Sequence, residues 1–466
     1  MVADSSSLTW HMRDECGWQA AANWSPQVRS EPHNMQPVGG AISSSPGSDA
    51  AIRVIDKIWN DDDDALLLHV RQSCRTAEDY PGRLQENGPF WFRDLVHAYK
   101  ALVPDLHLSA EVRESHGNVS LLVWTARGRH SGVLAGVAPS LRHIELQGTV
   151  RVDLGPEGGP RILHGTWDTA HLLQQIGITV ERFEPCVRLS PTDVRLRATF
   201  GAEGPSLLLF PTFSLPGWLT WRRFLDVFRK TRSVISFEAI ATRRGFERLR
   251  VPPWYGVRAE TDGLVRALRA ARTWGPFDVI GHSAGAALAL DYAVRNPASV
   301  RSLTLVEPSL AWLLRQQGRL TSASRRFIRE RLRAYRTPMT ATRYARFLRH
   351  SYMEKDYEPT ASPRWHLMRA YMHNMPYRSA LYGHINDVGQ LAVLRCPVLL
   401  IRGRESDAFH NVVIAELAKA LPQALVVELP GGHVPHFGAG FQPFMDIVTR
   451  FQHAAGEFGG RVGDAA

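Results

Sequence analysis

Apolar residues along the chain change their rhythm near its middle. From Ala51 to about Gly177 the pattern mixes both periods. Ala51–Trp59 and Phe90–Leu102 read as helices, the second carrying Phe90, Leu95, Val96, Tyr99 and Leu102 near i, i+3, i+4 spacing. Strand-like runs follow at Leu106–Glu111, Val119–Thr125, His143–Asp153 and Arg161–Trp167. Turn residues part them at His116-Gly117-Asn118 and Gly155-Pro156-Glu157-Gly158-Gly159. This predicts a compact α+β domain over 51–180. Residues 1–50, rich in Ser, Pro, Gly and Asn without either period, read as a disordered leader. Glu184-Pro185 and Ser190-Pro191 mark a linker.

Beyond Cys186 the runs become continuously apolar and alternate with amphipathic stretches. The predicted strands are Val194–Thr199, Leu207–Phe210, Val234–Phe237, Phe277–Ile280, Leu303–Val306, Val398–Ile401 and Leu425–Leu429. Such strands between helices predict a mostly parallel sheet covered on both faces, here over 187–455. About 80 residues, 311–390, interrupt the alternation with helical sequence and read as an inserted lid. Its Trp312, Tyr335, Phe347, Tyr352 and Trp365 either line a pocket for a bulky apolar substrate or form the lid's own core.

Composition narrows the classes. A chain of 466 residues suits two to three domains and needs no covalent staples. Cys16, Cys74, Cys186 and Cys396 lie far apart, so neither a disulfide framework nor a zinc ribbon is expected. No apolar run reaches the ~18–20 residues of a membrane span, and no secretory signal is visible, so the expected setting is cytoplasmic. The net charge of +10 raises nucleic acid as a partner. Its distribution argues otherwise. Residues 1–200 hold 19 basic and 24 acidic groups, whereas 301–350 alone hold 12 Arg against 2 Glu. The charge belongs to the start of the lid. It reads either as solvated helix faces or as a rim that receives an acidic acyl carrier protein or a coenzyme A phosphate, to which Arg binds bidentately.

The chemistry concentrates in the second half. Gly281-His282-Ser283-Ala284-Gly285 follows an apolar strand and precedes a helical stretch, the context in which G-x-S-x-G presents a nucleophile. The glycines allow close backbone approach around a strained serine. Ser283 then needs a base and an orienting acid. His433, after Gly431-Gly432 and the last strand, is the favoured base, and His436 is its competitor. Asp407, after strand Val398–Ile401, is the first candidate for the acid, then Glu405, then Glu307 at the end of Leu303–Val306. No cluster has metal-ligand spacing and no glycine-rich loop suits a nucleotide, so neither metal nor nucleotide cofactor is expected.

On these motifs, residues 190–453 resemble the α/β-hydrolase superfamily. The resemblance implies an oxyanion hole from the N–H groups of Ala284 and, by position in the loop Phe210–Gly217, of Phe213. Most members carry His-Gly in that loop, where this chain has Pro211-Thr212. The serine argues against epoxide hydrolases and haloalkane dehalogenases of this fold, which use Asp.

Pro104–His107, Gly128–Gly132, Gly136–Pro139 and Asp168–Gly177 follow one another in the first half. Taken in that order, they make residues 51–177 resemble the SnoaL-like polyketide cyclase family, a cone-shaped α+β fold. The resemblance implies that Asp168 acts as general acid/base in a pocket that His107, His130, His164 and Trp124 would share. Asp168-Thr169 before an apolar helix equally suits an N-cap. His164 stands where many relatives have Trp.

The fold class expected is therefore a SnoaL-like cone followed by an α/β-hydrolase domain with a helical lid. The function expected is a two-domain tailoring enzyme for polyketide-type products. The first domain would cyclise, and the second would hydrolyse or transfer an ester, thioester or lactone acyl group. The alternatives are a serine esterase or thioesterase whose first domain only binds substrate or dimerises, and a non-enzymatic binding protein.

Overall fold

The computed structural model describes residues 46–463, apart from 64–65, 67–74, 79–90, 134–137, 157, 168, 178–191, 201–203, 213–214, 337–338, 353–357 and 363–364. The expected leader up to residue 45, the linker at Glu184–Pro191, Asp168 and Phe213 lie outside the described residues.

The first half forms a five-stranded sheet in the order β1-β5-β4-β3-β2. Its strands are β1 (Arg75–Glu78), β2 (His107–His116), β3 (Val119–Arg129), β4 (His143–Leu154) and β5 (Pro160–Trp167). β2 to β5 pair antiparallel, and β1 joins β5 in parallel. Helices α1 (Pro46–Trp59) and α2 (Trp91–Leu102) supply Ile55, Ile58, Val96 and Leu102 to a core with Leu122, Trp124, Leu146 and Val152. The inward residues of β3 are Ser120, Leu122, Trp124 and Ala126, the alternation of a sheet with one covered face. α1 begins five residues before the apolar period becomes visible, at a Ser-Pro pair that suits a helix start.

The second half is a seven-stranded sheet, β12-β11-β10-β9-β7-β8-β6. These are β6 (Arg195–Thr199), β7 (Leu207–Phe210), β8 (Val234–Glu238), β9 (Phe277–His282), β10 (Val300–Val306), β11 (Val398–Gly403) and β12 (Ala424–Leu429). All neighbours are parallel except β6, which runs against β8. β7, β8 and β9 are buried at every position, as continuous apolar runs require. The chain reverses its direction of sheet growth between β7 and β9, so the carboxyl ends of these strands open a crevice, where open α/β sheets hold ligands. Helix α3 (Ala284–Arg295) follows β9 and is buried from Ala284 to Val294. Between β10 and β11 stand the lid helices, among them α4 (Ser322–Arg336) and α5 (Ala341–Tyr352). Trp312, Tyr335 and Phe347 are buried in the lid and sheet core and Trp365 packs against it, so these aromatics are structural; the side chain of Tyr352 lies outside the described residues. Among the described residues no helix is long and apolar enough to cross a membrane.

The two sheets belong to one compact unit running from Ser45 to Ala466. An acidic turn after α1 fastens them. Asp62 lies 2.9 Å from Lys100 Nζ and 3.2 Å from Arg197 Nη1, all three largely buried. Burial alone would raise the Asp62 carboxyl, but Arg197 and Lys100 hold it well below the usual carboxylate range. Burial also lowers the Lys100 ammonium, although Asp62 opposes that shift. Asp61 reaches Arg222, and Asp63 lies 2.8 Å from His366 on the lid. Glu238 at the end of β8 pairs with Arg93 of α2 and with Arg195.

Candidate active site

Ser283 sits between β9 and α3 with φ 55° and ψ −116°, a conformation L residues rarely adopt. Such strain costs of order 1–3 kcal/mol and persists only when neighbours enforce it. Here Ser283 N–H donates to Val306 O (2.9 Å), and its carbonyl accepts from the N–H of Ala287 and Ser309. The motif's glycines are required by approach. A Cβ on Gly281 would meet Gly285 O at 2.5 Å, and one on Gly285 would meet Phe210 O and Pro211 O at 2.7 Å. The elbow is thus pressed against the end of β7. Ala284 opens the helix, so its N–H is among those with no intrahelical acceptor. It is one of the two expected oxyanion donors, and Phe213 is outside the described residues.

The favoured histidine meets the serine: His433 Nε2 lies 2.9 Å from Ser283 Oγ. Its loop is set by Gly431 at φ 100° and by Gly403, where a Cβ would strike Gly432 O at 2.0 Å. Glu405 accepts from Gly431 N–H (2.7 Å) and so fastens this loop. His282 Nε2–H donates to the His433 carbonyl (2.7 Å). His436 lies buried among Trp221, Phe224 and Phe444, and among the described residues neither ring nitrogen has a hydrogen-bond partner. Burial, then His433, pushes it down to about 3, so it is a neutral packing residue.

The carboxylate on His433 is Glu307. Its Oε2 lies 3.3 Å from His433 Nδ1 and accepts from Ser406 Oγ (2.5 Å), while Oε1 accepts from Gly403 N–H (2.7 Å). Glu307 follows β10 directly, at φ 46°, and is wholly buried. Asp407 is elsewhere: it caps the helix α6 (Ala408–Ala420), accepting from His410 N–H (3.0 Å), and its Oδ2 lies 2.9 Å from His410 Nδ1. The first candidate for the acid is therefore engaged with a histidine that no sequence motif marks. The third candidate occupies the orienting position, because β10 stands between the strands that bear Ser283 and Asp407.

The electrostatics follow from this pairing. Burial would raise the Glu307 carboxyl, but the His433 hydrogen bond and the His410 charge lower it. Burial, then His410, lowers His433, against the pull of Glu307. His433 is thus neutral at pH 7 and able to accept a proton. Burial would lower His410 too, but Asp407 and then Glu307 raise it. Among the described residues, Glu307, His410 and His433 each bring a donor atom within 4.8 Å of the others, as a metal set would. The same three residues are joined by the contacts of Glu307 Oε2 with His433 Nδ1 (3.3 Å) and with His410 Nδ1 (3.6 Å). A hydroxyl bonded to an imidazole that a buried carboxylate orients is the arrangement that activates serine.

Three of the pocket candidates of the first half can be placed by their side chains. Trp124 of β3 is buried, whereas His107 of β2 is exposed and faces the other side of the sheet, opposite Arg127. His130 is buried beyond β3, and its Nδ1 accepts from Ser140 N–H (3.1 Å). His164 pairs with Arg151 across β5 and β4, and its side chain is outside the described residues.

Comparison with known proteins bears on the second half. Residues 215–439 match the family model described as the alpha/beta hydrolase fold. Similar solved structures include a hydrolase from Pseudomonas aeruginosa PA01, 21% identical over 55% of this chain and 93% of that one, with a TM-score of 0.45. The enol-lactonase from Burkholderia xenovorans LB400 is 16% identical over 55% and 95%, with a TM-score of 0.44. A structure described under carboxylesterases of Nitrososphaera gargenis is 19% identical over 57% and 95%, with a TM-score of 0.44. No curated protein matches the chain. The C-terminal part of this chain, built on the seven-stranded sheet and its strained Ser283 turn, has the α/β-hydrolase fold.

Proposed function

We propose that the chain is a serine hydrolase or acyl transferase acting on an ester, thioester or lactone. The observation that carries this reading is the Ser283–His433 contact of 2.9 Å on a strained strand–helix turn, with Glu307 behind His433. His433 takes the Ser283 proton as Oγ attacks the acyl carbon. Glu307 fixes the tautomer with Nδ1–H and steadies the imidazolium that forms. The oxyanion is received by Ala284 N–H and, by position, Phe213 N–H; one such donor is worth about 3 kcal/mol. His433 then protonates the leaving group. Water, or a hydroxyl of the substrate itself, releases the acyl group and returns Ser283 its proton.

The proposal extends to the first half as a cup that holds or cyclises a polyketide-type substrate. Its support is the SnoaL-like resemblance and the ion cluster that fastens this sheet to the hydrolase part. Asp168 is its acid/base candidate.

A fluorophosphonate probe tests the main reading. It should add one adduct, at Ser283, and Ser283→Ala should lose both the adduct and the turnover of p-nitrophenyl esters. Wild-type protein that is folded yet takes no label overturns it. Full turnover of the native substrate by Asp168→Asn removes catalysis from the first half.

A further inference from the structure

Ser283 Oγ has a second polar neighbour. Ser309 Oγ lies 3.4 Å away, and beyond it His410 Nε2 lies 3.5 Å from Ser309 Oγ. His410 Nδ1 in turn lies 2.9 Å from Asp407 Oδ2 and 3.6 Å from Glu307 Oε2. The chemistry proposed above uses none of Ser309, His410 or Asp407. Yet Ser309 and His410 are buried, at 7% and 1% exposure, and they form a continuous path from the nucleophile to a second carboxylate.

We infer that Ser309, His410 and Asp407 form a second arm on the nucleophile, which directs the Ser283 proton to His433. These are positioning residues, and the inference rests on the reading of Ser283 as nucleophile.

Counting protons gives the argument. His410 Nδ1 faces only carboxylate oxygens, so it carries a hydrogen. If Nε2 carries one too, it donates to Ser309 Oγ. The Ser309 hydroxyl is then free to donate to Ser283 Oγ, and the Ser283 proton points to His433 Nε2. Each hydroxyl donates once and accepts once. If His410 loses its second proton, Nε2 becomes an acceptor and claims the Ser309 hydrogen. Ser309 Oγ then offers only lone pairs to Ser283 and competes with His433 Nε2 for the nucleophile's proton. During attack the Ser283 proton moves to His433 Nε2 as the O–C bond forms, and the second arm keeps its protons throughout.

The charges around His410 favour its cationic form. Asp407 faces it from its own helix, and Glu307 from the turn after β10. His433 faces it from the loop after β12, and Phe327 and Arg331 from lid helix α4. The two carboxylates outweigh burial and Arg331, and they raise His410 above the ordinary imidazole value. The same positive charge helps to keep His433 neutral.

The experiment is the rate of Ser283 labelling by a fluorophosphonate in the full chain, between about pH 5 and 9.5. Wild type should give a bell: the rise reports His433 losing its proton, the fall His410 losing its own. Ser309→Ala should abolish the alkaline fall, because Ser283 then keeps His433 Nε2 as its side-chain partner at every pH. His410→Gln, whose amide donates but does not titrate, should also lack the fall. Asp407→Asn should move the fall to lower pH. Ser309→Thr, which keeps the hydroxyl, should restore the bell. An unaltered bell in Ser309→Ala or His410→Gln overturns the inference. So does a uniform loss of rate with the bell intact, which a merely structural role would give. Wild type that takes no label defeats the nucleophile reading instead.

Discussion

Glu307→Gln changes one oxygen to an amide nitrogen and leaves the side-chain volume unchanged. Gly403 N–H donates to Oε1 at 2.7 Å and would hold the carbonyl end of the glutamine there. The NH2 group then occupies the Oε2 position, 3.3 Å from His433 Nδ1. A donor facing Nδ1 forces the imidazole proton onto Nε2, which can no longer accept from Ser283. The equivalent tautomer error in a serine protease triad costs on the order of 10⁴ in kcat, about 5.5 kcal/mol. Burial strengthens the effect, since no water reaches Glu307 to substitute for the carboxylate. The assay is kcat for a p-nitrophenyl ester, with Asp407→Asn measured in parallel and melting curves to confirm folding. Asp407→Asn should cost far less at pH 7, since its carboxylate hydrogen-bonds His410 and acts on His433 only by its charge. If Glu307→Gln stays within tenfold of wild type while Asp407→Asn loses 10³ or more, the orienting role belongs to Asp407.

The pH dependence has a definite sign. His433 is lowered by burial and by His410, so kcat/KM should rise through a value below about 6.5, the ordinary imidazole range; a rise centred above 7 counts against His433 as base. Asp62→Ala leaves Lys100 and Arg197 buried without their carboxylate and should destabilise the protein by about 3–5 kcal/mol, read from urea unfolding. Because the folded Asp62 carboxyl is held below its unfolded value, its contribution is present above about pH 4 and lost as pH falls below that; a stability gap between wild type and variant that persists undiminished at pH 2 refutes this pairing. On the lid, Arg329 and Arg333 are exposed, and reversing both to Glu should raise KM for a coenzyme A or carrier-linked thioester but not for a small ester. An equal effect on both substrates makes the arginines solvated surface only.

The strands were legible in the chain alone, because β7, β9, β10 and β11 each carry an apolar run that needs both faces covered, and each is buried at nearly every position. The sequence also marked Ser283 and His433, each beside glycines at a strand end, and the structure brings the two side chains to 2.9 Å. It understated β2, whose outer half carries Arg113 and Glu114 on a solvent face and so lacks a full apolar run. Which carboxylate serves His433 was decided only by tertiary structure. Three acids follow strands at the same edge, and their order in sequence does not say which oxygen reaches Nδ1. Strand order places Glu307 behind His433, and the cap of α6 binds Asp407 to His410 three residues on, on its own helix. Ser309 and His410 carry no motif, since their meaning lies in distances between the Ser283 turn, the loop after β10 and helix α6. The acidic turn after α1 was silent for the same reason. A carboxylate such as Asp62 reads as solvated surface until folding brings Lys100 and Arg197 to it from two other elements.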